Sequence, residues 1–96
     1  MNFPFTSEQL LPSLKIDLGI SSDVFDVRLK ERIDTAMERI TKEGATLEAT
    51  ADDKDLILMY AAWLWRKRVT QEPMGRMLRL ALNNRVIGQT AGEVRA

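Results

Sequence analysis

An uninterrupted apolar stretch from Leu56 to Trp65 limits what this chain can fold into more than any other feature. Strands average about five or six residues, so a ten-residue run containing leucines and alanines favours a helix. Aspartates precede the stretch, and Arg66, Lys67 and Arg68 follow it, which matches the polarity of a helix dipole. A soluble helix normally keeps one polar face. Because this helix has none for nearly three turns, other helices or another chain must cover it on all sides.

The residues before this stretch predict a short first helix. Thr6 and Gln9 have the spacing of a capping box, and leucines then recur at helical intervals. Gly19 supplies the C-terminal stop. Pro12 is either the first residue of this helix or the site of a kink within it.

The second predicted helix has the clearest amphipathic pattern in the chain. Residues 21–23 (Ser, Ser, Asp) all suit its N-cap, and apolar residues recur at helical intervals from Phe25 to Ile40. Gly44 ends it. Residues 45–51 then form either a brief extended piece that adds to a strand of a neighbouring chain or, as we expect, a plain loop.

The third and fourth helices follow from similar signals. The central helix is expected from about Asp53 to Val69, with Asp52 or Asp53 as its cap. Pro73 fits the first position of the fourth helix. The pair Asn83–Asn84 indicates where that helix ends, and residues 89–96 are small and polar, which predicts a frayed tail.

Together these patterns predict an all-α fold in one domain of 96 residues. We expect a small four-helix bundle-like domain with an apolar central third helix, an irregular lead at residues 1–5 and a frayed tail at 89–96. The inward stripes supply the predicted buried core: Phe25, Leu29, Ile33, Leu56, Met59, Tyr60, Trp63, Leu64, Met77, Leu78 and Leu82.

The composition excludes several kinds of chemistry. The chain has no cysteine, so disulfides and thiolate nucleophiles are absent, and no histidine, the commonest general base and metal ligand. Asp52, Asp53 and Asp55 lack the spaced ligands, glycine and terminal glutamate of a calcium loop. The five glycines are scattered and form no phosphate loop. We therefore predict no catalytic residues, metal site, cofactor or enzymatic activity.

Two features bear on localisation. The apolar stretch is about half the length of a membrane span. Residues 1–5 lack the basic region and apolar core of a signal peptide. We expect an intracellular, soluble chain without a membrane partner.

The charges are unevenly distributed although the net charge is zero. Residues 1–55 hold 7 basic and 12 acidic residues, a net charge of −5, whereas residues 56–96 hold 7 basic and 2 acidic residues, a net charge of +5. This asymmetry fits head-to-tail contact between copies or contact of the second half with an anionic partner. Internal pairing of the two halves in the folded chain is an equally good explanation.

The basic residues of the second half have two interpretations. Arg66, Lys67 and Arg68 either contact phosphate, with stacking on the adjacent tryptophans, or match the helix dipole while their stems cover those tryptophans. We favour the second interpretation. A turn followed by a helix carrying Arg76 and Arg79 also imitates a helix-turn-helix. A small helical DNA-binding regulator is therefore the alternative function.

Four segments give the chain a resemblance to a known family. They are the end of the first helix at 14–20, the opening of the second helix at 24–29 with its end at 43–44, the basic end of the central helix at 59–68, and residues 74–85. In order and spacing they resemble the small head–tail connector proteins of tailed bacteriophages and prophages, also called head–tail adaptors or DNA-packaging proteins. The resemblance covers residues 10–87.

The resemblance implies a structural protein of the virion neck, assembled in the bacterial cytoplasm. In that family, helical subunits form a ring of about a dozen copies beneath the portal protein through heterologous contacts. Such a ring extends the channel for duplex DNA, without sequence readout, and docks the next neck or tail-completion protein. On this view Arg66, Lys67, Arg68, Arg76 and Arg79 contact other subunits or passing DNA. We expect the arginines of the third and fourth helices to serve mostly protein contacts, since a strongly basic channel would retain DNA.

Overall fold

Four helices make up the fold of the described residues. The computed structural model describes the backbone of residues 3–95 and the side chains of residues 3–87. In chain order the helices are α1 Ser7–Leu18, α2 Asp26–Lys42, α3 Ala51–Thr70 and α4 Arg76–Arg95. The described part of the chain contains no strand, so the all-α class and the four-helix arrangement are confirmed. The central helix α3 touches each of the other three.

Helix α1 begins and ends at the predicted signals. The Thr6 hydroxyl accepts a hydrogen bond from the backbone of Gln9, whose side chain accepts one from the backbone of Thr6. At the other end Gly19 adopts a left-handed conformation with φ 70°, and the next amide donates back to Lys15. Pro12 lies inside the helix on its exposed side, so it is not the first helical residue.

Helix α2 starts later than its polar residues predicted. The N-cap position is Phe25, which provides no side-chain cap, and the Ser22 hydroxyl instead accepts from Val24 in the preceding turn. The prediction of an N-cap at 21–23 is therefore wrong. Lys15 of α1 donates to Asp23 at 3.0 Å and lies 2.9 Å from Asp26, which holds the start of α2 against α1.

Helix α3 is capped by Thr50, whose hydroxyl accepts from the backbone of Asp53 at 3.2 Å. The prediction of a cap at Asp52 or Asp53 is wrong because the helix begins two residues earlier and these aspartates fall in its first turn. Residues 45–50 form a loop without strand structure, as expected, and they bury Ala45 and Leu47 against the core.

Helix α4 differs from its prediction at both ends. Pro73 precedes the helix, which starts at Arg76 after a non-helical segment at 71–75. Its backbone continues through Asn83 and Asn84, because asparagine lowers helix propensity only slightly and breaks no hydrogen bond of the ladder. The predicted tail is helical as far as residue 95, and residues 1, 2 and 96 lie outside the described part of the chain.

Most of the predicted core is buried. Seven of its eleven members are buried, and an eighth, Trp63, is half-buried. The seven are Leu29, Ile33, Leu56, Tyr60, Leu64, Leu78 and Leu82. Three predictions are wrong. Phe25 is 42% exposed because it precedes α2, Met77 is 74% exposed because it lies at the start of α4 away from the core, and Met59 is 37% exposed on the uncovered side of α3.

The start of α3 at Ala51 can be tested by removing the hydroxyl that caps it. Replacing Thr50 with Ala should lower the free energy of unfolding by about 1 kcal/mol, because the backbone amide of Asp53 loses its acceptor. Thr35→Ala is the matched control, since Thr35 lies within α2, where alanine is the better helix former. Urea denaturation measures both variants. Equal stability of Thr50→Ala and the wild type would contradict this assignment of the cap.

Candidate functional site

A groove is open on one side of α3. It encloses about 600 Å³ and lies between the end of α1, one side of α3 and the segment leading into α4. Its apolar floor consists of Leu58, Met59, Ala62, Trp63, Met77 and Leu78. On this side the neighbouring helices in the described chain leave the apolar helix incompletely covered, as the exposure of Met59 shows.

Trp63 is held firmly at this groove. Its ring meets Tyr60 edge-on with the ring centroids 5.4 Å apart, and its Nε1 donates to the backbone carbonyl of Glu72 at 3.2 Å. The Arg66 Nε lies 3.2 Å from a carboxylate oxygen of the same Glu72. These contacts tie the 71–75 segment to α3, so the groove has a defined shape before anything enters it.

The predicted basic cluster at 66–68 does not form one surface. Successive helical residues point about 100° apart. Arg66 faces the groove and pairs with Glu72, the Lys67 ammonium lies 4.6 Å from the centre of the Trp63 ring, and the Arg68 guanidinium lies 3.8 Å from the centre of the Trp65 ring. These contacts agree with the interpretation that the basic side chains cover the two tryptophans.

Helix α4 is apolar on two opposite sides. Leu78 and Leu82 are buried, and Arg85, at the same helical spacing, also faces inward. On the opposite side Leu80 is 46% exposed and Ile87 is 63% exposed. Within the described residues nothing covers this outer stripe, which we define as Arg76, Arg79, Leu80 and Ile87.

A nearly buried ion pair fixes the orientation of α4. Asp53, only 1% exposed, accepts from Arg85 Nε at 2.8 Å and from Nη2 at 3.2 Å. The same Nη2 donates to the Thr46 carbonyl at 2.8 Å, and the second carboxylate oxygen of Asp53 accepts from the backbone of Glu48 at 2.7 Å. One carboxylate therefore joins α3, α4 and the 45–50 loop.

The environment of Asp53 favours its charged form. Burial alone would raise the pKa of this carboxyl, but the hydrogen bond from Arg85, the backbone hydrogen bond from Glu48 and the charge of Arg85 outweigh burial and lower the pKa. The hydrogen bond with Asp53 likewise raises the pKa of Arg85 above its usual value. Sequence reasoning missed this pair, because the two residues are 32 positions apart and neither lies in a recognisable motif.

The groove and the outer stripe carry opposite unpaired charges. Asp17 and Asp55 line the groove, and neither makes an ion pair within the described part of the chain. Arg76 and Arg79 on α4 are both exposed and also lack a carboxylate partner there. Of the predicted contact residues, the structure thus places Arg66 at the groove and Arg76 and Arg79 on the stripe.

In residues 3–87 no three carboxylates stand close enough together to hold a metal ion. No helix of the described chain combines the length and hydropathy of a membrane span.

Comparison with known proteins assigns neither a family nor a function to the chain. No family model matches the chain, and the searches of curated proteins and of solved structures gave no match.

The Asp53–Arg85 pair predicts a specific stability defect. Replacing Asp53 with Asn should lower the free energy of unfolding by about 3 kcal/mol, because it leaves the guanidinium of Arg85 largely buried without its counter-charge. Asp52→Asn, at the exposed neighbouring position, is the matched control and should change stability by at most about 0.5 kcal/mol.

The same pair predicts a pH dependence. The folded-state pKa of Asp53 lies below that of the unfolded chain, about 3.9. Its stabilisation is therefore complete above that pH and is lost as the pH falls through the folded-state value. In denaturation series from pH 7 to pH 2, the difference between wild type and Asp53→Asn should shrink below about pH 4. A constant difference across this range would contradict the assignment.

Proposed function

We propose that this chain is a structural assembly subunit that contacts its own copies head to tail, as a head–tail connector of a phage neck would. The observation that carries the proposal is the pairing of two unlike surfaces on one chain, the open groove on α3 and the outer stripe of α4. The sequence resemblance over residues 10–87 supplies the biological setting. The groove and the stripe supply the physical basis for assembly.

The two surfaces suit a heterologous contact. The groove presents Met59 and Trp63 with two unpaired carboxylates at its edge. The stripe presents Leu80 and Ile87 with two unpaired guanidiniums. Since a concave acidic surface and a convex basic one cannot pair with themselves, each copy engages a different surface of the next, and such contacts close into a ring when the rotation per copy allows it.

The energetics favour burial of both surfaces. Complete burial of a large apolar side chain contributes roughly 1.5–3 kcal/mol. Several such side chains are exposed on the groove and stripe, and Arg76 and Arg79 facing Asp17 and Asp55 would set the register and favour the right partner. In this proposal the α4 arginines serve protein contacts.

The remaining roles of a connector follow from the resemblance. Within the proposal, a ring of these subunits lies under the portal protein, docks the next neck or tail-completion protein and surrounds duplex DNA without reading its sequence. A net charge of zero suits a channel through which DNA must slide.

Charge reversal tests the head-to-tail contact. Arg76→Glu with Arg79→Glu, or Asp17→Lys with Asp55→Lys, should each weaken self-association at least tenfold, because each variant opposes like charges across the contact. Mixing the two variants should restore assembly, since every groove then meets a stripe of opposite charge. Light scattering across a concentration series measures association, and Arg39→Glu on the exposed side of α2 is the control. Undiminished assembly of both reversed variants alone would contradict this contact.

DNA binding separates the proposed connector from a helical DNA-binding regulator. A connector subunit should shift duplex DNA weakly and without sequence preference. A regulator using Arg66 to Arg79 should show sequence-preferring binding with a steep dependence on salt. Gel-shift measurements at two salt concentrations distinguish them. Tight binding that is lost on Arg76→Ala and Arg79→Ala, with light scattering unchanged, would favour the regulator.

A further inference from the structure

A second pocket lies on a different side of α3 from the groove. It encloses about 360 Å³ where the start of α2 meets the end of α3, and it is lined by Phe25, Arg28, Arg32, Trp65 and Arg68. Three of these five side chains are guanidinium groups, and no carboxylate lines the pocket. The local charge is therefore +3 without compensation from the pocket itself.

The arginines of this pocket lack partners of their own. Neither Arg28 nor Arg32 makes an ion pair within the described residues. The Arg32 Nε is buried and has no hydrogen-bond acceptor there. A buried donor without an acceptor costs free energy, and more so when it belongs to a charged group. An acceptor that arrives from outside would remove this cost.

The third guanidinium is held in place by aromatic contacts. Arg68 stacks on Trp65 at 3.8 Å from the ring centre, and Phe25 meets the same indole edge-on with the centroids 5.4 Å apart. Trp65 is itself buried, so the platform under Arg68 is fixed. Arg28 and Arg32 are four positions apart on α2 and therefore project from the same side of that helix. Three cationic forks thus line one small space, and the stacking on Trp65 restrains Arg68 there before a ligand arrives.

We propose that this pocket binds a phosphate group. A carboxylate has two oxygens and one charge, and one guanidinium satisfies it through a bidentate pair. Three guanidiniums around one space match a group with more oxygens and more charge, which among common biological anions is phosphate. The phosphate belongs either to a small free compound, including inorganic phosphate itself, or to the backbone of a nucleic-acid strand. The pocket lies outside the proposed contact between copies.

Trp65 reports occupation of the pocket directly. In a Trp63→Phe background its fluorescence is observed alone, since the chain has two tryptophans. Inorganic phosphate and pyrophosphate should each produce a saturable change, and acetate at equal ionic strength should not. A short single-stranded oligonucleotide forms a further arm. Binding of the oligonucleotide at least tenfold tighter than that of pyrophosphate identifies a nucleic-acid strand as the source, and any smaller ratio identifies a free phosphate compound.

Variants locate the binding. Arg32→Gln and Arg68→Gln should each weaken pyrophosphate binding at least tenfold, whereas Arg39→Gln, an exposed arginine further along α2, should leave it unchanged. Arg28→Gln, at an exposed position, keeps the test valid if the other two variants fail to fold. The absence of a saturable signal, an equal response to acetate, or an equal loss in Arg39→Gln would overturn the proposal.

Discussion

Burial of the apolar surface of α3 is the constraint on which the rest of the structure depends. This surface extends around the helix for nearly three turns, so three separate elements are needed to cover it, and α1, α2 and α4 all contact it. The 45–50 loop adds Ala45 and Leu47 to the same core. These elements leave the groove between α1 and α4 open, where Met59 remains partly exposed.

The position of α4 depends on a polar interaction in addition to this burial. Leu78 and Leu82 are buried and Ala81 and Val86 pack beside them, whereas the outer stripe holds Leu80 and Ile87 together with two arginines. The bidentate pair between Arg85 and Asp53 adds to this apolar packing, because Arg85 reaches the buried carboxylate only when it faces inward. In this orientation Leu80, Ile87 and the arginines of the stripe face outward.

The proposed assembly and the proposed phosphate site use different sides of the same helix. The groove carries two unpaired carboxylates, whereas the Arg28–Arg32–Arg68 pocket carries three guanidiniums. In the folded chain the charges are therefore grouped differently from their order in the sequence. Arg28 and Arg32 belong to the acidic half in sequence, yet they join Arg68 of the basic half in one cationic pocket. The two proposed contacts, one with other copies and one with a phosphate group, therefore do not compete for the same surface.

The sequence by itself determined the four helices, the burial of most of the central one and both ends of α1, because these depend on interactions within a few residues. Capping between Thr6 and Gln9, the glycine stop at 19 and the apolar run at 56–65 are of this kind. Only the tertiary structure decided the features that join distant segments. The Asp53–Arg85 pair spans 32 positions, and the pocket around Arg32 depends on the start of α2 packing beside the end of α3, so no local pattern encodes either. The exposure of Phe25 and Met77 has the same reason: helical spacing tells which residues share a side, and packing alone decides how far each side is covered.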